Sequence, residues 1–183
     1  TYSKRTLKNL LEEDYKLGII RYAEGFDSYY KALFEEKGLT AELVTEFSYE
    51  LTFSETSPLA ALDEIKLSDL SDLTEIAHAD PYVPSLPFAE VKREELPDNV
   101  SRRIFVFERA SQLELLSKNP ETFMWVSPIP EDTLGRYGLI CRKCPENRKV
   151  YKDVIVHRKD YRLSRLDCAF IEELCQAKRR LFG

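Results

Sequence analysis

Long apolar runs are missing from this chain of 183 residues, and cysteine and glycine are scarce in it. No stretch approaches the ~20 consecutive apolar residues that a membrane-spanning helix needs. The first five residues, Thr1-Tyr2-Ser3-Lys4-Arg5, contain no apolar signal core. Four cysteines are too few for a disulfide scaffold of this length. We therefore expect a soluble, intracellular, cytoplasmic protein with no membrane segment, and the Thr1 start leads us to expect a piece of a longer gene product.

Several catalytic signatures are also absent from the sequence. The six glycines are scattered and form no phosphate-binding loop, and no nucleophile elbow or HExxH motif occurs. Only two histidines, His78 and His157, could act as general bases. These absences argue against nucleotide-cradling enzymes, α/β-hydrolases and zincins, and they favour a non-enzymatic role.

Charge is present in both signs, but it is unevenly distributed. The formal net charge is −5. Residues 136–183 hold 13 Lys/Arg against 6 Asp/Glu, a charge of +7, and the first 135 residues therefore carry −12. A basic C-terminal quarter favours an anionic partner, namely nucleic acid or an acidic protein surface. The alternative is that the two parts attract each other inside one fold.

Hydrophobic periodicity predicts an α+β fold. Helical spacing marks the N-terminal 20 residues and the aromatic stripe of residues 26–34, whereas strict alternation over 47–54 predicts a half-buried strand. Helices are expected at 57–66, before Asp80-Pro81 and within 98–119, the last either alone or preceded by a short strand at 104–107. Strand signals at 122–126, 137–142 and 149–157 are joined by short turns and predict a three-stranded antiparallel meander. A terminal helix starting at Ser164, with Leu166, Phe170, Leu174, Ala177 and Leu181 on one face, should cover that meander.

Prolines divide the chain. Four of the nine prolines lie within residues 81–97, which we interpret as an extended connection. The predicted organisation is a mainly helical part with one strand at 1–80, the proline-rich connection at 81–97, and an α+β part at 98–183, within one compact domain.

One tripeptide could carry metal chemistry. Glu90 and Lys92 in Phe88-Ala89-Glu90-Val91-Lys92 would share a face on a strand, with Asp80 upstream. This set resembles the PD-(D/E)xK nuclease core. The resemblance implies Mg²⁺ or Mn²⁺ at Asp80 and Glu90, with Lys92 orienting the attacking water of phosphodiester hydrolysis. The sequence departs from that core where Asp80 precedes a proline and where Pro84 and Pro87 leave little room for neighbouring strands. A solvated strand is the alternative.

The cysteines suggest a second metal hypothesis. Cys141 and Cys144 have the spacing of a zinc-binding turn, but a structural site needs four ligands. Cys168 and Cys175 lie seven residues apart on one predicted helix, which is too far for both to bind the same ion. A site of Cys141, Cys144, His157 and Cys168 is therefore the zinc prediction, and buried apolar cysteines are the alternative.

The leading functional prediction is an accessory or binding domain that uses its basic C-terminal surface. Aromatic side chains among cations can stack on bases while the cations neutralise phosphates. The metal-dependent nuclease is the runner-up, and a structural or scaffold subunit that uses the aromatic stripe of residues 26–34 is the third reading. The residues expected to form the basic surface are Arg142, Lys143, Arg148, Lys149, Tyr151, Lys152, Arg158, Lys159 and Arg162.

Overall fold

The structure is a computed structural model that describes residues 2–78, 86–87, 91 and 100–182. These residues form two compact units whose segments alternate along the chain. Unit 1 comprises residues 2–47, 86 and 149–182, and unit 2 comprises residues 48–78, 87, 91 and 100–148. Among the described helices, none is long and apolar enough to cross a bilayer.

Unit 1 is built on a three-stranded sheet in which β8 (Val150–Arg158) lies between β1 (Gly18–Ala23) and β2 (Leu39–Ser48). Strands β1 and β8 pair antiparallel, although they lie about 130 positions apart in the sequence. The elements of unit 1 are α1 (Tyr2–Glu12), β1 (Gly18–Ala23), α2 (Asp27–Glu36), β2 (Leu39–Ser48, ending at the unit boundary), β8 (Val150–Arg158) and α5 (Arg165–Phe182).

Helices cover both faces of this sheet. On one face, Leu10 of α1 is 1% exposed and lies so close to Gly18 that an added Cβ would meet it at 2.9 Å. On the same face the ring of Tyr22 stacks on that of Tyr30 from α2, with centroids 4.3 Å apart. On the opposite face, Phe182 of α5 packs against Phe47, with ring centroids 4.8 Å apart. The aromatic stripe of residues 26–34 is therefore largely core.

Unit 2 is built on a five-stranded mixed sheet with the order β5-β4-β6-β3-β7. Strand β4 pairs parallel with both β5 and β6, whereas β3 pairs antiparallel with both β6 and β7. Its elements are β3 (Glu50–Ser54), β4 (Thr74–His78), β5 (Arg102–Val106), α3 (Arg109–Lys118), β6 (Thr122–Val126), α4 (Glu131–Tyr137) and β7 (Leu139–Arg142), with 3₁₀ turns at Pro58–Ala61 and Leu67–Leu70.

Each face of the unit 2 sheet carries its own apolar cluster. Leu51, Phe53 and Phe123 pack with Leu59 and Leu70 from the 3₁₀ turns. On the other face, Met124 and Val126 pack with Leu113 and Leu116 from α3. Alternate residues of β6 therefore serve two cores, as the period of two in a strand requires.

The α+β class is confirmed, but the strand predicted over 47–54 is two strands. Strand β2 ends at Ser48, β3 starts at Glu50, and they belong to different sheets. Two further segments differ from their predictions. Leu17 immediately precedes β1 and Ile20 lies within it, so neither residue extends the first helix. Residues 74–78 form β4, where a helix ending at Asp80 was predicted. Alternation of apolar and polar residues indicates which side chains of a strand are buried, but it does not indicate which other strand will pair with it.

The predicted C-terminal meander is not formed. Strands β6 and β7 are separated by β3 in the sheet of unit 2, and β8 belongs to unit 1. Helix α5 begins as predicted, because the Ser164 backbone N–H and hydroxyl both donate to the Asp167 carboxylate, at 2.7 and 2.6 Å. The predicted apolar face is not the packed one, since Leu166 is 79% exposed and Phe170 47%. Helix α5 instead contacts β8 through Lys178.

Candidate functional site

An open depression of about 460 Å³ lies in unit 1 at the end of β8. Gly38, whose φ of +65° is a conformation favouring glycine, ends α2 there, and its carbonyl accepts the Lys159 N–H at 2.9 Å. This bond brings the cations that follow β8 next to the end of α2. We name this feature the basic depression, and it is lined by Leu11, Lys37, Gly38, Arg158, Lys159 and Asp160.

Carboxylates neutralise the three cations of the basic depression. Arg158 donates two hydrogen bonds to Asp160, at 3.0 and 2.7 Å, and these bonds lower the pKa of the Asp160 carboxyl. Lys159 lies 2.8 Å from a Glu35 oxygen. Lys37 pairs with its neighbour Glu36 at 2.9 Å. The depression can accommodate a small molecule, but paired charges of this kind attract an anion only weakly.

Lys152 also belongs to the predicted basic surface, and it is enclosed by acidic side chains. Only 14% of its side chain is exposed, and its Nζ lies 3.1 Å from Asp27, 3.4 Å from Glu46 and 3.6 Å from Glu24. Burial would lower the pKa of Lys152, but hydrogen bonds and charge from Asp27 and Glu46 outweigh burial and raise it. Lys152 therefore acts as a structural cation inside unit 1.

Further members of the predicted surface are used in packing. Arg142 donates to the backbone carbonyls of Ala60, at 3.0 Å, and of Leu62. Tyr151 is 5% exposed and stacks on Phe47. Lys149 is half-buried and already interacts with other groups of the chain. The exposed members of the predicted set are Lys143, Arg148, Arg158, Lys159 and Arg162.

The nine predicted residues are divided between the two units. Arg142, Lys143 and Arg148 belong to unit 2, and the other six belong to unit 1. Contact with nucleic acid or an acidic protein stays a prediction. In unit 1, Lys152 and Lys159 of the basic C-terminal quarter pair with Asp27 and Glu35 from the first 135 residues, which is the alternative that the charge distribution left open. Arg158 pairs instead with Asp160 of its own segment.

A buried charge cluster in unit 1 was missed by the sequence reasoning. Asp153, 2% exposed, accepts two hydrogen bonds from Arg21 and one from Lys178 of α5, at 2.7, 2.8 and 2.8 Å. Burial would raise the pKa of Asp153, but the two cations outweigh it and lower it. The available signal was an aspartate on the same predicted strand face as Tyr151 and Ile155.

Cys141 makes two polar side-chain contacts within unit 2. Its thiol donates to Glu50 at 3.2 Å and accepts from the Thr52 hydroxyl at 3.3 Å. Burial is the main cause that raises the pKa of Cys141 to about 12, and the Glu50 carboxylate adds to it. At neutral pH the group is therefore a thiol and a poor nucleophile.

The predicted metal sites receive no support from the described part of the chain. No three His, Cys, Asp or Glu side chains there are arranged to hold a metal ion. Of the predicted zinc ligands Cys141, Cys144, His157 and Cys168, the first two belong to unit 2 and the last two to unit 1. Within unit 2, Cys144 is buried in the apolar cluster around Phe53, whereas Cys141 faces Glu50. The predicted nuclease residues Asp80, Glu90 and Lys92 lie outside the described residues.

Comparison with known proteins identifies the fold. No family model and no curated protein matches this sequence. Solved structures do match: the effector-binding domain of QuiR in complex with shikimate has a TM-score of 0.66 at 19% identity, covering 100% of this chain and 81% of that one. The regulatory domain of CcmR from Synechocystis PCC6803 in complex with 2-PG has a TM-score of 0.64 at 15% identity, covering 98% and 80%.

The regulatory domain of MetR, a LysR family regulator from N. meningitidis, is also similar. Its TM-score is 0.55 at 16% identity, and the match covers 95% of this chain and 73% of that one. The chain thus has a fold that resembles the regulatory, effector-binding domains of LysR-type regulators. At these identities the likeness concerns the fold.

Proposed function

We propose that this chain is the ligand-sensing domain of a LysR-type transcription regulator and that it binds a small organic anion. The observation that carries the proposal is the match of its entire length to an effector-binding domain at a TM-score of 0.66. A match over the whole chain is stronger support than a shared motif, because it includes both units and the way the chain alternates between them.

The ligand class follows from the chemistry of the similar domains. QuiR is described with shikimate, a hydroxylated carboxylate, and CcmR with 2-PG. By analogy, we propose a small metabolite bearing a carboxylate or phosphate group for this chain. In such a regulator, DNA is contacted by another domain, and the regulator works in the cytoplasm. The basic residues of this chain would then have no role in contacting the phosphates of DNA.

We do not assign the ligand to the basic depression. Glu35, Glu36 and Asp160 already neutralise its cations, and an anion would have to break those pairs. The proposal therefore makes a specific statement about Arg158 and Lys159: replacing them leaves ligand affinity unchanged.

The experiment is a thermal-shift titration of the chain with shikimate, 2-PG and a panel of organic acids and sugar phosphates, with glucose as the neutral control. A ligand at 100 times its Kd adds about 2.7 kcal/mol to the free energy of unfolding, which raises the Tm of a chain of this size by roughly 5–10 °C. We expect a saturable rise of this kind with at least one anion. No rise with any anion in the panel would contradict the proposal.

Three variants accompany the titration. Arg158→Ser and Lys159→Ser remove two cations of the basic depression, and Lys143→Ser removes an exposed cation of unit 2. We expect the same ligand shift in all three variants as in the unchanged chain. Loss of the shift only in the Arg158 and Lys159 variants would locate the ligand in the basic depression and refute that part of the proposal.

A further inference from the structure

Helix α5 leaves a row of apolar side chains exposed to solvent. Leu166, Phe170 and Leu181 are 79%, 47% and 37% exposed, and Ala177 is exposed as well. At ~100° per residue these four side chains lie within ~60° of the helix circumference, and at ~1.5 Å per residue they extend over ~22 Å. We name them the α5 stripe. The sequence predicted that this stripe packs on the sheet, and the structure leaves it uncovered.

The helix is held to unit 1 by a different part of its surface. Lys178 donates to the buried Asp153 at 2.8 Å, and the ring of Phe182 packs on that of Phe47, with centroids 4.8 Å apart. Lys178 and Phe182 lie ~110° round the helix from the centre of the α5 stripe. A helix that packs through one face ordinarily has polar residues on the others. A second apolar row, turned away from the sheet, therefore marks an interaction surface.

Two charged side chains border the α5 stripe. Glu173 lies three residues after Phe170 and four before Ala177, at the middle of the stripe. Arg180 lies two helical turns further on, along the same edge. Both side chains are exposed, and neither forms an ion pair with the residues that the structure describes. A partner with complementary charge would therefore place a cation against Glu173 and an anion against Arg180.

The position of Glu173 disfavours a second copy of this chain as the occupant. In an antiparallel pair centred on the α5 stripe, Glu173 would lie next to its own copy, and like charges at such a position repel each other. In a parallel pair the side chain facing Glu173 would be Lys178, which Asp153 already holds at 2.8 Å. The stripe therefore fits a helix of different sequence.

We propose that the α5 stripe is a docking surface for a helix of another protein. The partner helix lies antiparallel to α5, so that opposite ends of the two helix dipoles meet. It presents an apolar stripe of its own, with a lysine or arginine opposite Glu173 and an aspartate or glutamate opposite Arg180. Because α5 alone forms this surface, its use does not depend on the proposed ligand.

The probe is a designed helical peptide of the same length as α5, 18 residues, with leucine along one stripe. At the edge of that stripe it carries a glutamate and, two turns later, a lysine, and a control peptide has glutamate in place of the lysine. Both peptides carry fluorescein, and fluorescence anisotropy measures their binding to the full chain. We expect saturable binding of the Glu–Lys peptide and binding of the Glu–Glu peptide that is weaker by roughly tenfold.

Variants of the chain test the same contact from the other side. In Glu173→Lys the preference should be inverted, with the Glu–Glu peptide bound roughly tenfold more tightly than the Glu–Lys peptide. Phe170→Ser removes the largest side chain of the α5 stripe and should weaken binding of the Glu–Lys peptide by roughly tenfold or more. Leu43→Ser, at an apolar residue of β2 that is 56% exposed, is the matched control and should leave the affinity unchanged. Thermal melting curves confirm that each variant is folded.

Four results would overturn the proposal. The first is no saturable binding of either peptide at chain concentrations up to several hundred micromolar. The second is equal affinity for the two peptides, which would mean that Glu173 selects nothing. The third is a loss of affinity in Leu43→Ser as large as that in Phe170→Ser. The fourth is a mass near twice 21.3 kDa in sedimentation equilibrium that Phe170→Ser returns to 21.3 kDa, because a second copy would then occupy the α5 stripe.

Discussion

Arg21 and Asp153 are directly paired across β1 and β8, and their side chains form two parallel hydrogen bonds of 2.7 and 2.8 Å. Lys178 of α5 reaches the same carboxylate at 2.8 Å. One buried acid therefore connects both ends of unit 1's sequence, with β1 near the start and α5 at the end. Its removal should affect the whole unit.

Replacing Asp153 by Asn should lower the free energy of unfolding by about 3 kcal/mol or more, because two cations lose a buried partner. Urea denaturation followed by circular dichroism measures the change. Glu36→Gln is the control, since the exposed Lys37–Glu36 pair contributes less than about 1 kcal/mol. Equal small losses in both variants would mean that the buried cluster contributes nothing beyond a surface pair.

The stability of the chain should also depend on pH through Asp153. Its pKa in the folded chain is below that of the unfolded chain, so ionisation stabilises the fold above the unfolded pKa of ~3.9. That stabilisation is lost as the pH falls through the folded pKa. Urea titrations between about pH 6 and pH 3 should show a steeper loss in the unchanged chain than in Asp153→Asn. Parallel curves would be inconsistent with a lowered pKa.

Gly18 should not tolerate a side chain. An added Cβ would lie 2.5 Å from Thr6 Cγ2 and 2.9 Å from Leu10 Cδ1, so Gly18→Ala must displace these two packed side chains of α1. We expect a loss of roughly 1–3 kcal/mol, measured by urea unfolding.

Gly135→Ala is the matched control for Gly18→Ala. Gly135 lies within α4, and an added Cβ would meet nothing within 4 Å. Because alanine favours the helix, the control should be neutral or stabilising by up to about 1 kcal/mol. If the control lost as much stability as Gly18→Ala, close packing at Gly18 would not explain the loss in that variant.

The cysteines should differ sharply in reactivity. At pH 8 a thiol with a pKa of about 12 is ~0.01% thiolate, so Cys141 should resist iodoacetamide while the exposed Cys168 is alkylated. Peptide mass spectrometry over time measures both rates, and denaturation in urea should make Cys141 reactive. Alkylation of Cys141 at the rate of Cys168 in the folded chain would contradict the buried, hydrogen-bonded thiol.

Local signals in the sequence were sufficient for elements that are stabilised locally. The stripe of residues 26–34 and the Ser164–Asp167 cap were predicted because helix spacing and capping involve residues only a few positions apart. Pairing between β1 and β8 was not predicted, since no local pattern identifies a partner about 130 residues away. The failure at 47–54 has the same origin, because one alternating run serves two sheets.

The candidate site was harder to predict than the fold. The basic residues were recognised by their charge, but formal charge does not reveal that Glu35, Asp27 and Asp160 face Lys159, Lys152 and Arg158 in the folded chain. Resemblance to effector-binding domains became visible only in three dimensions, at 19% identity or less among the matches described.

Parallel calorimetric titrations of the chain, with small organic anions and with a DNA duplex, distinguish a ligand-sensing domain from a nucleic-acid surface. We predict saturable binding of one anion per chain and no salt-dependent binding of the duplex. Binding of the duplex that weakens steeply with added salt, together with no heat from any small anion, would contradict a ligand-sensing domain and favour a nucleic-acid surface instead.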